Sequence, residues 1–290
     1  MRKLLFITLL WLGSLNIYSD YSANQSTDLI NINGVSIAYT TAGEEGNPSV
    51  LMIMGLMGSH KVWGEEIVNG LVDSGYRVIL FDNRDTGESE NLDRLGKPNL
   101  YWKFAMSYLG VDFSSPYTLT DMALDGIGVL DHLGIESAHI VGASMGGMIA
   151  QTIASKFPER TKSLVSIMST TGAPHLSQMS ERNEQNFNNA GGWDKDTAHS
   201  YGFYPEAMPR QITAIMKAGD RSEQVRSIKV STLVQHGVND TLLPPDHGEH
   251  TAELISNSKL KIYENMGHNL PPEVLPFVIE DMVNFFKENS

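Results

Sequence analysis

The chain has 290 residues, 41% of them hydrophobic, with 26 glycines, 12 prolines and no cysteine, which suffices for one large domain with a sizeable core. A formal net charge of −13 without any block of Lys or Arg excludes a basic nucleic-acid footprint. The missing cysteine excludes disulfides, a thiol nucleophile, thiolate metal sites and lipid attachment through an N-terminal cysteine.

Arg2 and Lys3 precede an apolar run from Leu4 to Leu15, and small residues follow at Ser19, Ser22 and Ala23. Residues 1–23 therefore read as a cleavable secretory signal, too short to span a bilayer. They predict a periplasmic or secreted protein with no membrane anchor after processing. Asn33-Gly34 between Leu29–Ile32 and Val35–Tyr39 predicts a hairpin. Short apolar runs then recur at Val50–Met54, Arg77–Phe81, Ala138–Val141, Leu164–Met168, Thr232–Gln235 and Leu260–Tyr263. Runs of this kind, bounded by turn residues, suit strands buried on both faces of a parallel sheet.

Helical periodicity separates them at Val62–Ser74, at Thr120–Leu133 with Thr120 as N-cap and Gly134 as stop, at Met145–Phe157, at His247–Ser256 and at Pro276–Lys287. The alternation predicts an α/β fold with a doubly wound, mostly parallel sheet and right-handed crossovers. Two segments interrupt it. Residues 91–117 hold Tyr101, Trp102, Phe104, Met106, Tyr108 and Phe113 without clear period, and are expected to be a loop. Residues 172–221, Asn-rich and then aromatic, are expected to form a small helical lid over that loop. Residues 24–171 and 222–290 form the core on this reading.

Gly142-Ala143-Ser144-Met145-Gly146 lies between the apolar run at 138–141 and the helix that Pro158 closes. Strand, glycine-flanked turn and helix are the setting of a nucleophile elbow. A serine hydroxyl needs a base to take its proton and an acid to orient that base, here in the chain order Ser, Asp, His. His268, in Asn265-Met266-Gly267-His268-Asn269 after the last strand, is the expected base. Asp240, at the exit of the run ending in Gln235-His236-Gly237, is the expected acid, with Asp246 as a weaker substitute. The oxyanion donors are expected to be the backbone N–H groups of Met145 and of Leu56 in Gly55-Leu56-Met57-Gly58. No Gly-Lys-Ser/Thr follows that loop, so it is not a phosphate cradle.

Other polar groups have blander readings. The sequence Asp82-Asn83-Arg84-Asp85 after a buried strand is expected to brace a turn, and His236 to be a structural strand-end residue. His247 and His250 flanking Glu249 are expected on a solvated helix face rather than at a metal. Neither a metal nor a cofactor is expected.

The stretches Met52-Ile53-Met54-Gly55-Leu56, Phe81 through Gly87, Pro116 through Ala123 and Val141 through Gln151 resemble the α/β-hydrolase fold superfamily across about residues 28–288. Within it they resemble the bacterial branch of aclacinomycin methylesterase-like hydrolases. The resemblance implies a cofactor-independent hydrolase, most often of carboxylic esters, with Ser144, Asp240 and His268 as its catalytic residues. Met54 stands where a His-Gly pair is common, and the lid is shorter than usual in that branch, so substrate size does not carry over.

The resulting expectation is a serine esterase acting on a small-molecule ester with an apolar group. The alternatives use the same three residues as an aminopeptidase, lactonase, thioesterase or perhydrolase, or keep the scaffold as a non-catalytic binding protein. An aminopeptidase would need a carboxylate cluster, for which Glu181, Glu184 and Glu206 are available. Ser144 in place of Asp argues against epoxide hydrolysis and dehalogenation.

Overall fold

The computed structural model describes residues 27–181, 183 and 194–290. The expected signal segment, Glu184 and Trp193 lie outside the described residues. Eight strands form one sheet, β1 (Asp28–Ile32), β2 (Val35–Ala42), β3 (Ser49–Ile53), β4 (Arg77–Phe81), β5 (Ala138–Ala143), β6 (Thr161–Ile167), β7 (Thr232–Gly237) and β8 (Ser258–Tyr263), in the order β1-β2-β4-β3-β5-β6-β7-β8. Strands β3 to β8 pair in parallel, while β1 and β2 attach antiparallel at one edge. The hairpin turn has Asn33 at φ 52 and Gly34 at φ 81, with Ile32 opposite Val35. Both central residues in the left-handed region define the tight turn that matches strand twist.

Period-two alternation explains why both faces are covered. Leu51, Ile53, Ile79, Phe81 and Ile140 point into one core with helices α3 (Leu119–His132) and α4 (Met145–Lys156). Val50, Met52, Val78, Leu80 and Val141 point into the other, with α1 (Glu65–Asp73) and α9 (Leu275–Glu288). Successive strand residues face opposite ways, so an all-apolar strand needs a helical layer on each side. This is the doubly wound α/β architecture. From β3 the chain runs outward to β4, then returns to β5 on the opposite flank of β3. The carboxyl ends of β3 and β5 thus bound the crevice at the topological switch point.

Several local expectations are corrected. The first helical stretch is divided at Gly64 (φ 77), so a short 3₁₀ turn at His60–Trp63 precedes α1 instead of one helix over 62–74. α3 is capped by Thr118 rather than Thr120. Asp121 N–H donates to Thr118 Oγ1 while Thr118 N–H donates to the Asp121 carboxylate, a reciprocal box that Thr120 cannot make with this acid. Residues 91–117 are not simply a loop. They contain α2 (Leu100–Tyr108), started by the Asn99 side chain, with Tyr101 91% and Tyr108 90% exposed, so its aromatic residues are not buried under a lid. β8, whose apolar run suits burial on both faces, is the sheet edge and leaves Leu260 and Ile262 partly exposed. The described part of 172–221 is helical in α5 (Lys195–Ser200) and α6 (Met208–Ala218), after which come α7 (Ser222–Arg226) and α8 (Asp246–Leu254).

His139 in the middle of β5 is wholly buried, stacked on Phe286 at 4.4 Å and bonded through Nδ1 to Ser163 Oγ at 2.8 Å. Burial, assisted by nearby Lys162, pushes its imidazole down to about 4. An unfolded histidine titrates near 6.5, so between those values the unfolded chain binds the extra proton and stability rises with pH. Acidification from 6.5 towards 4 is expected to remove up to about 3 kcal/mol through this residue alone. Urea unfolding of wild type and His139→Asn at pH 4.5 and 7 checks it. The variant should lose less stability on acidification; equal losses would refute the assignment.

Candidate active site

At the end of β5 the chain turns into α4 through Ser144, whose φ of 56 and ψ of −120 are strained for any residue with a Cβ. Close backbone packing holds it there. A Cβ on Gly146 would lie 2.0 Å from Ile53 C=O, and one on Gly142 2.1 Å from Gly146 C=O. Ser144 N–H donates to Ile167 C=O at 2.9 Å, and Ser169 Oγ donates to Ser144 C=O at 2.8 Å. The hydroxyl is thereby presented above the sheet at the start of a helix, half-buried.

The structure brings the three widely separated residues together. His268 Nε2 lies 2.9 Å from Ser144 Oγ, and His268 Nδ1 lies 2.7 Å from Asp240 Oδ2. Asp240, 2% exposed, follows β7, and its Oδ1 accepts the N–H groups of Leu242 and Leu243, each at 2.9 Å. Burial alone would raise this carboxyl. The bonds from His236, His268 and the Leu243 N–H outweigh it and hold the carboxyl well below the usual carboxylate range. A permanently ionised acid on Nδ1 leaves Nε2 free to accept the serine proton.

His236 is the structural strand-end residue expected, and it also reaches the acid. Wholly buried, it places Nε2 2.8 Å from Leu243 C=O and 3.4 Å from Asp240 Oδ2. The only sequence signal was its position four residues before Asp240 at the end of the same strand. Asp246, the weaker candidate acid, instead accepts Ser177 N–H at 2.7 Å.

On the other flank, Gly55 approaches the serine so closely that a Cβ would lie 3.1 Å from Ser144 Cβ and from Ala143 C=O. The loop after β3 therefore rests directly against the elbow. Among the described residues neither Leu56 N–H nor Met145 N–H has a protein acceptor. Free N–H groups beside a helix N-terminus suit a developing oxyanion. The loop is braced by Asn83 Nδ2, which donates to Met54 C=O at 2.8 Å.

The rest of the Asp82–Asp85 cluster braces the molecule too. Asp82 Oδ1 accepts His60 N–H and Nδ1, both at 2.7 Å, while Arg84 forks onto Asp125 with two 2.7 Å bonds. Asp85 accepts two 2.8 Å bonds from Arg210 of α6 and one of 2.7 Å from Tyr117. His247 and His250 depart from the solvated helix face expected of them. His247 is buried between Thr170 Oγ1 and Ser177 C=O, and His250 contacts Thr171 Oγ1. No cluster of three or more potential metal ligands occurs among the described residues. Glu206 is paired with His199 at 2.9 Å and Glu181 is exposed.

The family model for the alpha/beta hydrolase fold matches residues 48–199. In sequence the chain is 25% identical to the rhodomycin D methylesterase DnrP of Streptomyces peucetius, over 84% of this chain and 93% of that protein. Its fold superposes on a hydrolase from Pseudomonas aeruginosa PA01 with a TM-score of 0.68 at 20% identity, covering 91% of this chain and 99% of that one. The enol-lactonase from Burkholderia xenovorans LB400 gives 0.69 at 18% identity, covering 90% and 100%.

Proposed function

This chain belongs to the α/β-hydrolase fold family, and on that premise we propose that it is an exported serine esterase cleaving carboxylic esters of small molecules through an acyl-enzyme. The observation that carries the reading is the continuous hydrogen-bonded line from Ser144 Oγ through His268 to Asp240. His268 takes the Ser144 proton as Oγ bonds to the ester carbon, and Asp240 stabilises the imidazolium that forms. The N–H groups of Leu56 and Met145 hold the negative charge on the former carbonyl oxygen. As the carbon–oxygen bond breaks, His268 gives the proton to the departing alcohol. It then deprotonates water, which releases the acid and restores Ser144.

An apolar substituent on the substrate is supported by the cluster of Met57, Met208 and Ile212, against which Leu56, Leu100 and Phe203 pack beside the oxyanion loop. The described residues 202–211, which bond to the loop at Met57–Ser59, act as part of a cap over this site. Export rests on the residue pattern at 1–23; among the described residues no helix is long and apolar enough to cross a membrane.

The test is turnover of p-nitrophenyl esters from acetate to octanoate, run beside fluorophosphonate labelling with the adduct mapped by peptide mass. Hydrolysis with labelling at Ser144 is expected. Absence of both in folded protein would overturn the reading, and faster cleavage of amides or lactones than of esters would redirect it.

A further inference from the structure

The oxyanion loop is held in place by residues far along the chain. Met57 has a φ of 62, a left-handed conformation that side chains rarely adopt. Both of its backbone groups are taken by the cap. Met57 N–H donates to Oε1 of Gln211, 154 positions later, at 2.8 Å. Tyr204 N–H donates to Met57 C=O at 2.8 Å. Ser59 N–H reaches Gly202 C=O at 2.8 Å, and Gly58 bridges Phe203 in antiparallel fashion. Gln211 is wholly buried, and its Nε2 donates to Arg84 C=O at 3.3 Å, which fixes the orientation of the amide. Its neighbour Arg210 is clamped to Asp85, so the helix that carries Gln211 is itself anchored.

Two consecutive N–H groups of this loop therefore differ in fate. That of Met57 is spent on Gln211, while that of Leu56 has no acceptor among the described residues. A buried N–H that loses its acceptor must find another, here by turning the 56–57 peptide and leaving the left-handed conformation at Met57. Such a turn displaces the adjoining 55–56 peptide, which carries the Leu56 N–H.

We infer that Gln211 is a positioning residue which, through its hold on Met57, sets Leu56 N–H against the developing oxyanion. The cap segment 202–211 is then a fixed wall of the reaction site and not a flap that opens. The inference rests on the esterase reading and is tested so that the two fail separately.

Gln211→Met removes the acceptor at nearly constant volume. With p-nitrophenyl butyrate, kcat is expected to fall about 10- to 100-fold, the range for a misplaced donor, with KM changed less than about threefold. Inhibition by phenylboronic acid, whose serine adduct is tetrahedral, should weaken by the same factor as kcat, and inhibition by butyrate should not change. Gln211→Glu keeps the acceptor for Met57 N–H and should lose less of both. If Gln211→Met does not fold, Gln211→Asn, which retracts the same amide, takes its place with the same expectation.

A variant with kcat and boronate affinity within about twofold of wild type overturns the inference, as does an equal loss in Gln211→Met and Gln211→Glu that follows melting temperature. Wild-type protein that neither cleaves esters nor binds the boronate sinks the esterase reading, and this inference with it.

Discussion

Ser144→Ala is expected to lower kcat for ester hydrolysis by about 10⁴- to 10⁶-fold, the scale set by removing a serine nucleophile from a Ser-His-Asp unit. The fold should not be affected. The backbone bonds that hold position 144, from its N–H to Ile167 C=O and to its C=O from Ser169 Oγ and the N–H groups of Gly147 and Met148, do not involve the hydroxyl. Alanine tolerates the positive φ no better and no worse than serine. Among the described residues the only bond deleted is that to His268 Nε2. Wild-type and variant rates on p-nitrophenyl acetate, with matching circular dichroism, check this. Retention of a tenth of the activity by the folded variant would place the nucleophile elsewhere.

Asp240→Asn is expected to reduce kcat by about 10⁴-fold, through the tautomer of His268 rather than through loss of contact. Two N–H groups, of Leu242 and Leu243, converge on Oδ1. They demand an acceptor, so the asparagine oxygen must take that position and its NH₂ must face His268. Nδ1 would then have to accept, and the ring proton would move to Nε2, opposite Ser144 Oγ. A protonated Nε2 cannot remove the serine proton. The shape and the Leu242 and Leu243 bonds remain, so the variant should fold. It should be less stable than wild type at neutral pH, because the neutral amide gives up the charge-assisted contacts with His268 and His236 that hold the native carboxyl low. Because the native carboxyl is held well below the ordinary range, chiefly by the His236 and His268 bonds against the opposing effect of burial, it stays ionised as pH falls through the range where exposed carboxylates protonate. Protonation of Asp240 therefore does not set the acid limb of wild-type activity. Activity of the variant within tenfold of wild type at neutral pH would contradict this role.

Much of the arrangement was legible in the residues themselves. The apolar runs that became β3, β4 and β5 carry hydrophobic side chains at successive positions, which only a strand covered on both faces requires. The pentapeptide at 142–146 carries glycines where a Cβ would collide with backbone, so the sharp turn is written into it. Asp240 and His268 could be found because each follows a strand whose carboxyl end must face the elbow once the sheet is parallel. Local pattern misleads where it parts company with the environment. The aromatic residues of α2 have no buried face to give them a period, and β8 has apolar residues at a sheet edge. Thr118 differs from Thr120 in the sequence by the Thr-x-x-Asp spacing to Asp121, a local capping signal that the apolar period alone does not register.

By itself, the sequence determined the alternation of strands and helices, the strained serine turn and the identity of three polar residues at strand ends, since turn chemistry and side-chain period act over a few neighbouring positions. Tertiary structure alone decided that His236 joins Asp240, that His247 is buried, and that Gln211 grips the loop beside Ser144. Those contacts join residues brought together by the path of the chain, and no local free energy distinguishes a glutamine that will meet a backbone N–H 154 positions away from one that faces water.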